Sequence, residues 1–266
     1  MRLAITALAI AAAITAALAN AVGAYRACRA FDPVAEVPHS HREVASPTDA
    51  IAAIVDDNPG TQVFAVGEYH QRGAGSTPLA AFNTEILPLL ASHAKSIVVE
   101  AWDPVPDDVS ELMMRALELH LPAVSLPMTS IEQDAVVDAS GHLDFLLLLE
   151  LVTEKLAERT RALLPRGPVI VYGGALHNDL YPRWPLDSLS YARPLARETN
   201  VLEIDLVVPE VVAPMQMIRS EPWFPLLGRA APGRTIVWKR GPRSYVVILP
   251  AQTEEVSRVA KLADSM

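Results

Sequence analysis

The chain has 266 residues, with 22 basic against 31 acidic side chains and a formal net charge of −9. No block of Lys and Arg offers a track for a phosphate backbone, which excludes nucleic acid as an expected partner. A single cysteine, Cys28, excludes an internal disulfide and any multi-thiolate metal site.

Residues 3–24 carry no charge and follow Arg2, and small residues recur at cleavage spacing in Ala17-Leu18-Ala19, Ala19-Asn20-Ala21 and Val22-Gly23-Ala24. Residues 1–24 therefore read as a secretory signal peptide, or as an N-terminal anchor, because the run is long enough to span a bilayer. Arg26 and Arg29 just beyond it oppose the positive-inside rule for a simple anchor. The expectation is an exported protein, periplasmic or secreted, with membrane association if the segment is retained. Cys28 falls where a lipoprotein is acylated, but Tyr25-Arg26-Ala27 lacks the Leu-like and small residues of a lipobox. Residues 25–47 read as a linker, since Pro, His, Ser and charge dominate from Phe31 to Pro47 without an apolar period. A single domain is expected over 48–266.

Ser46-Pro47-Thr48-Asp49 precedes Ile51, Ile54 and Val55, the pattern of a short amphipathic helix closed by Asn58-Pro59-Gly60. Strands are predicted at Gln62–Val66, Ser96–Glu100, Pro122–Leu126, Pro168–Tyr172 and Val201–Val207, with helices between them. One helix begins near Ser76-Thr77-Pro78 and aligns Leu79, Phe82, Ile86, Leu89 and Leu90, with a kink expected at Pro88. Another covers about Val109 to Leu119. The longest runs from about His142 to Leu164, and its apolar start, Phe145 to Leu149, predicts a deeply buried first half. Thr235–Lys239 and Ser244–Leu249 flank Arg240-Gly241-Pro242-Arg243, a hairpin pattern. Together these predict an α/β fold: a mainly parallel central sheet flanked by helices, with a C-terminal antiparallel hairpin at the edge.

Two Gly-x-x-His tetrapeptides, Gly67-Glu68-Tyr69-His70 and Gly174-Ala175-Leu176-His177, each follow a β-branched run, and a third such run ends in Glu100. All fall at or just past predicted strand ends, where the functional crevice of a parallel sheet lies. Extended chain past Gly67 would put Glu68 and His70 on one side. Gly67 and the pair Gly173-Gly174 would let the backbone turn and approach a ligand. Two imidazoles with one or two carboxylates suit a divalent metal with open positions. The same groups also suit metal-free catalysis, with His70 deprotonating water and a glutamate orienting the ring.

These segments, with Val98-Val99-Glu100 and Tyr172-Gly173-Gly174-Ala175-Leu176-His177-Asn178, resemble the superfamily of TIKI metalloproteases, TraB/GumN-like proteins, erythromycin esterases and ChaN-like haem-binding lipoproteins. The resemblance covers about residues 60 to 250, making the expected domain one of TIKI/ChaN-like type. It implies hydrolysis of an ester or amide in a small-molecule or peptide substrate, with Glu68, His70, Glu100 and His177 as the site. In the TIKI branch it implies a divalent ion such as Mn, Co or Zn on His70, His177 and one glutamate. Glu68 is expected on the ligand side because it shares a face with His70, leaving Glu100 as the base. The ChaN branch implies haem binding instead, without catalysis.

Tyr69 is a candidate cofactor-binding residue or oxyanion donor, against an ordinary packing role. Asn178 and Asp179 read as partners of the site or simply as a turn. Trp102, Trp184, Trp223 and Trp238 are candidates to line a cleft.

Overall fold

The computed structural model describes residues 41–69, 78–102, 104–138, 140–183 and 185–251. The segment 1–24 expected to direct export, Cys28, His70 and Trp184 lie outside these residues. Eight strands form one sheet: β1 (His41–Val44), β2 (Val63–Glu68), β3 (Ser96–Val99), β4 (Ala123–Val124), β5 (Val169–Gly174), β6 (Val201–Val207), β7 (Thr235–Gly241) and β8 (Ser244–Ile248). Their order is β1-β7-β8-β6-β2-β5-β3-β4. The run from β8 to β4 is parallel, β7 is antiparallel to β8, and β1 is antiparallel to β7.

Parallel strands are covered on both faces, so they read as nearly continuous apolar runs. Phe64, Val66, Ile97, Val99, Ile170, Tyr172, Leu202 and Ile204 face one core cluster. Val63, Ala65, Val98, Val169, Val171 and Val201 face a second. The first face is covered by α1 (Pro47–Asp56), α2 (Pro78–Ala81), a π-helical turn (Phe82–Ile86), α3 (Leu87–Ala91) and α4 (Asp107–Glu118). A short helix α5 (Ser130–Ala135) with no buried residue follows β4. The second face is covered mainly by α6 (Phe145–Leu163), with α7 (Ala175–Asn178) and α8 (Ala192–Leu195) nearer the strand ends. A last short helix, α9 (Pro209–Val212), returns to the first face.

Several local expectations hold for the reasons given. Ser46 caps α1, its Oγ accepting from Asp49 N at 3.1 Å. The C-terminal hairpin forms, with Arg243 at φ +59° in its turn. Four details differ. Residues 41–44 belong to the sheet, although the linker was expected to continue to 47; their pairing with β7 is a long-range contact that no local pattern announces. That pairing also puts β1 outside the hairpin. The predicted strand Pro122–Leu126 shrinks to two residues at the other edge. The kink expected at Pro88 is met by the π-helical turn before it: Leu87 N–H reaches back to Phe82 O.

The fourth difference concerns α6. Its apolar start is not deeply buried, because Leu146 and Leu147 are 56% and 45% exposed. Asp144 caps the helix, accepting from Leu146 N and Leu147 N. From there the helical period lays only one stripe, Leu148, Val152, Thr153, Leu156, Ala157, Thr160 and Leu163, against the sheet.

Candidate active site at the carboxyl ends of the strands

Strands β2, β5 and β3 are neighbours, and their carboxyl ends carry Glu68, Gly174 and Glu100. Glu68 pairs in register with Gly174, and Glu100 continues β3 by donating its N–H to Tyr172 O at 2.9 Å. Helix α7 begins directly after β5 and carries His177. The fold thus gathers residues separated by more than a hundred positions in sequence.

His177 and Glu100 meet, with His177 Nε2 3.8 Å from Glu100 Oε1. The far side of the ring is held by α6 and the 3₁₀ turn 187–189: Nδ1 lies 2.9 Å from Thr153 Oγ1 and 3.1 Å from Leu189 O. The Thr153 hydroxyl has its own carbonyl acceptors, Leu149 O at 2.8 Å and Leu189 O at 3.0 Å. A ring nitrogen facing a main-chain carbonyl and an engaged hydroxyl carries a proton, and Nε2 is turned toward Glu100. Glu100 is fixed in turn, its Oε2 accepting Gly174 N–H at 2.7 Å. Gly173 makes room for it, since a Cβ there would lie 2.4 Å from Glu100 Oε2.

Glu68 is not part of this pair. By strand alternation it shares the face of Val66 and Tyr172, whereas Glu100 shares the face of Val98 and Gly173. Its carboxylate accepts a short hydrogen bond from the Tyr172 hydroxyl, and the Tyr172 ring stacks on Phe82 at 4.2 Å between centroids. Burial, then the adjacent Glu68 charge, pushes the Tyr172 phenol well above its ordinary value, so it remains a donor. Of the expected site residues, Glu100 is the carboxylate beside the His177 imidazole, and Glu68 lies on the opposite face of the sheet. His70 lies outside the described residues. Among those residues no group of three or more His, Cys, Asp or Glu side chains is placed to hold a metal ion. His177 Nε2 and Glu100 Oε1 supply two donors, and the Nδ1 contact to a main-chain carbonyl is the kind of support a ligating histidine receives.

Next to the pair lies a buried polar network with no part in the sequence reading. Arg240 of β7 donates to Asp179 Oδ1 at 2.7 Å and Glu203 Oε1 at 2.9 Å, and approaches Glu221 at 3.9 Å. Glu203 Oε2 accepts Leu180 N–H at 3.0 Å, tying the segment after His177 to β6. Burial, opposed by Arg240, pushes Glu203 up to about 7. Burial and then the neighbouring Glu203 raise Asp205 well above its ordinary value. The Tyr191 hydroxyl is buried without a hydrogen-bond partner among the described residues, and its phenol is raised by burial and then by Glu100, Glu203 and Asp205. The signal that could have revealed this network is Val201-Leu202-Glu203-Ile204-Asp205-Leu206-Val207, where two acids at period 2 interrupt an otherwise apolar strand.

Tyr69 is half-buried against Trp223, with ring centroids 5.9 Å apart. Burial, then Asp205 and Glu221, raises its phenol well above the ordinary value, which keeps it a neutral donor. Of the four tryptophans, Trp223 and Trp238 are core residues and Trp102 packs partly against the second cluster. The glycines, expected to admit a ligand, admit the protein's own side chains instead: Glu100 over Gly173, and Asn178 and Asp205 over Gly67.

No family model matches the chain, and no curated protein matches it. Among solved structures, the signal recognition particle receptor FtsY from Elizabethkingia anophelis, in complex with GDP and without that description, matches at a TM-score of 0.34. Identity is 12% and 13%, over 65% of this chain and 52% of those chains. The class established is a mixed α/β protein with a mainly parallel sheet.

Proposed function

We propose that the chain is an exported hydrolase that cleaves an ester or amide bond, with His177 and Glu100 as its working pair. The observation that carries this reading is the His177 ring. It is buried, its Nδ1 is held by Leu189 O and Thr153, and its Nε2 faces a carboxylate at a strand end. A neutral imidazole so oriented accepts a proton from water, and the adjacent Glu100 stabilises the imidazolium that results. Tyr191 N–H donates to His177 O at 2.8 Å, and the Tyr191 phenol is held neutral. The resemblance of the two Gly-x-x-His segments to the TIKI/erythromycin esterase/ChaN superfamily supports the same chemistry.

A divalent ion, if the TIKI-like version holds, would sit on His177 Nε2 and Glu100 Oε1 with a further ligand; when bound, it would lower the pKa of water. Export rests on Arg2 and the uncharged run 3–24. Among the described residues no helix is long and apolar enough to cross a membrane.

A panel of chromogenic acyl esters and anilides, assayed with metal content measured on the same preparation, tests the proposal. Hydrolysis is expected, falling by about 10²- to 10⁴-fold in Glu100→Gln. No turnover of any substrate in the panel, together with a saturable Soret shift on titration with haemin, would replace the hydrolase reading by haem binding.

A further inference from the structure

Asn178 follows the second motif histidine and is buried over Gly67 of the first motif. With its amide turned so that both atoms meet groups of the opposite kind, Nδ2 donates to Gly174 O at 2.9 Å and Oδ1 accepts from Gly67 N at 2.8 Å. In the alternative orientation Nδ2 would face the Gly67 N–H and reach only Asp205 Oδ1, at 3.4 Å. The two glycines, one from each Gly-x-x-His segment, thus decide how the amide sits. The atom turned toward Asp205 is then a carbonyl oxygen, and two acceptors face one another in a buried space. A proton on the Asp205 carboxyl resolves that conflict by donating to Asn178 Oδ1.

We propose that Asn178 is a positioning residue that locks the two Gly-x-x-His segments to each other, and that Asp205 completes the lock as a neutral hydrogen-bond donor. Asn178 touches none of the groups placed at the reaction. It acts by fixing the start of α7 on β2, and so the depth at which His177 meets Glu100, Thr153 and Leu189 O. The charged and titratable groups around Asp205 agree with a held proton. Glu203 lies on the same face of β6, Asp179 follows α7, Glu221 lies between the 3₁₀ turns Gln216–Ser220 and Phe224–Arg229, and Tyr69 follows β2; Arg240 of β7 is the cation among them and is already engaged by Asp179 and Glu203. The inference depends on this geometry alone and stands whichever reaction the site performs.

The first test uses the wild-type chain with carbon-13 in its aspartate carboxyls, the Asp205 signal being identified by its loss in Asp205→Asn. At neutral pH the Asp205 carbon should show the shift of a protonated carboxyl; the shift of a carboxylate would overturn the proposal. The second compares variants through the nitrogen-15 shifts of the His177 ring at one fixed pH, which report its tautomer and surroundings. Asp205→Asn keeps a donor of the same shape and should keep the wild-type ring pattern. Asp205→Leu and Asn178→Leu should lose it, whereas a purely structural contribution would lower stability and leave the pattern in place. A wild-type ring pattern in folded Asn178→Leu would overturn the lock. Should either leucine variant fail to fold, the wild-type carboxyl signal and the Asp205→Asn ring pattern still decide.

Discussion

The two glutamates at the ends of β2 and β3, the strands on either side of β5, have similar sequence settings and opposite surroundings. Glu68 ends β2 under an aromatic lid, accepting from a phenol that is itself stacked on Phe82. Glu100 follows β3 on the other face, holding one main-chain N–H and facing an imidazole whose second nitrogen is pinned. One carboxylate is built into packing and the other is presented beside a base. What separates them is the pleat: a shift of one position along a strand moves a side chain to the opposite layer.

The comparison can be broken most severely at the presented side. His177→Ala and Glu100→Gln should each lower turnover of any hydrolysed substrate by about 10²- to 10⁴-fold, and Glu100→Gln should leave the urea midpoint close to wild type. Equal activity loss in Glu68→Gln, with its stability unchanged, would erase the distinction between the two faces. Next in size is the glycine contrast. A Cβ on Gly67 would lie 2.7 Å from the Ala175 backbone, whereas the nearest atoms to one on Gly173 belong to the Glu100 side chain, Oε2 at 2.4 Å and Cβ at 2.9 Å. Gly67→Ala should therefore unfold or strongly destabilise the chain, and Gly173→Ala should fold but lose activity; thermal melts with parallel assays would show the reverse if this contrast is wrong.

The packed side has its own test. Tyr172→Phe removes a donor from the buried Glu68 carboxylate and should cost about 1–3 kcal/mol in urea unfolding, with a smaller effect on turnover than Glu100→Gln. The smallest expected effect is in the pH dependence. Glu203 holds its proton up to about 7 in the folded chain, against an ordinary value of 4.5. The folded state then binds more protons between those values, so this group's contribution is full below 4.5 and is lost as pH rises through about 7. Asp205 acts in the same direction. Urea midpoints measured across that window should fall more steeply for the wild type than for Glu203→Gln; parallel slopes would remove the buried network from the account.

Much of the fold could be read from β-branched runs, because a strand covered on both faces announces itself by composition alone. The strands β2, β3, β5, β6, β7 and β8 and the capped helix α1 all have such local signals. Edge strand β1 has none: His41 to Val44 is polar, and its place depends on a partner nearly two hundred residues away. The depth of α6 was misjudged because an apolar run reveals hydrophobicity without revealing which stripe of the helix meets the sheet. At the site, spacing located the strand ends and the pairing of His177 with Glu100 follows from them. The side of the sheet taken by Glu68 was available from alternation within Val63–Glu68, but reading it requires knowing which strand lies next door. Thr153, Asn178 and Asp205 act through contacts between elements, and Asp205 shows in sequence only as an acid in an apolar strand.

The position of β8 has a consequence for how the chain comes together in time. Ser244–Ile248 lies between β6 and β7, and β1 reaches the sheet only through β7. Among the described residues the last strand in chain order is thus an interior one, and the first waits for it. A polypeptide threaded from its N-terminus keeps its opening strand unpaired until the closing hairpin is through, and contacts of such long sequence separation form slowly. Until β8 arrives, the parallel core is left with an open flank at β6.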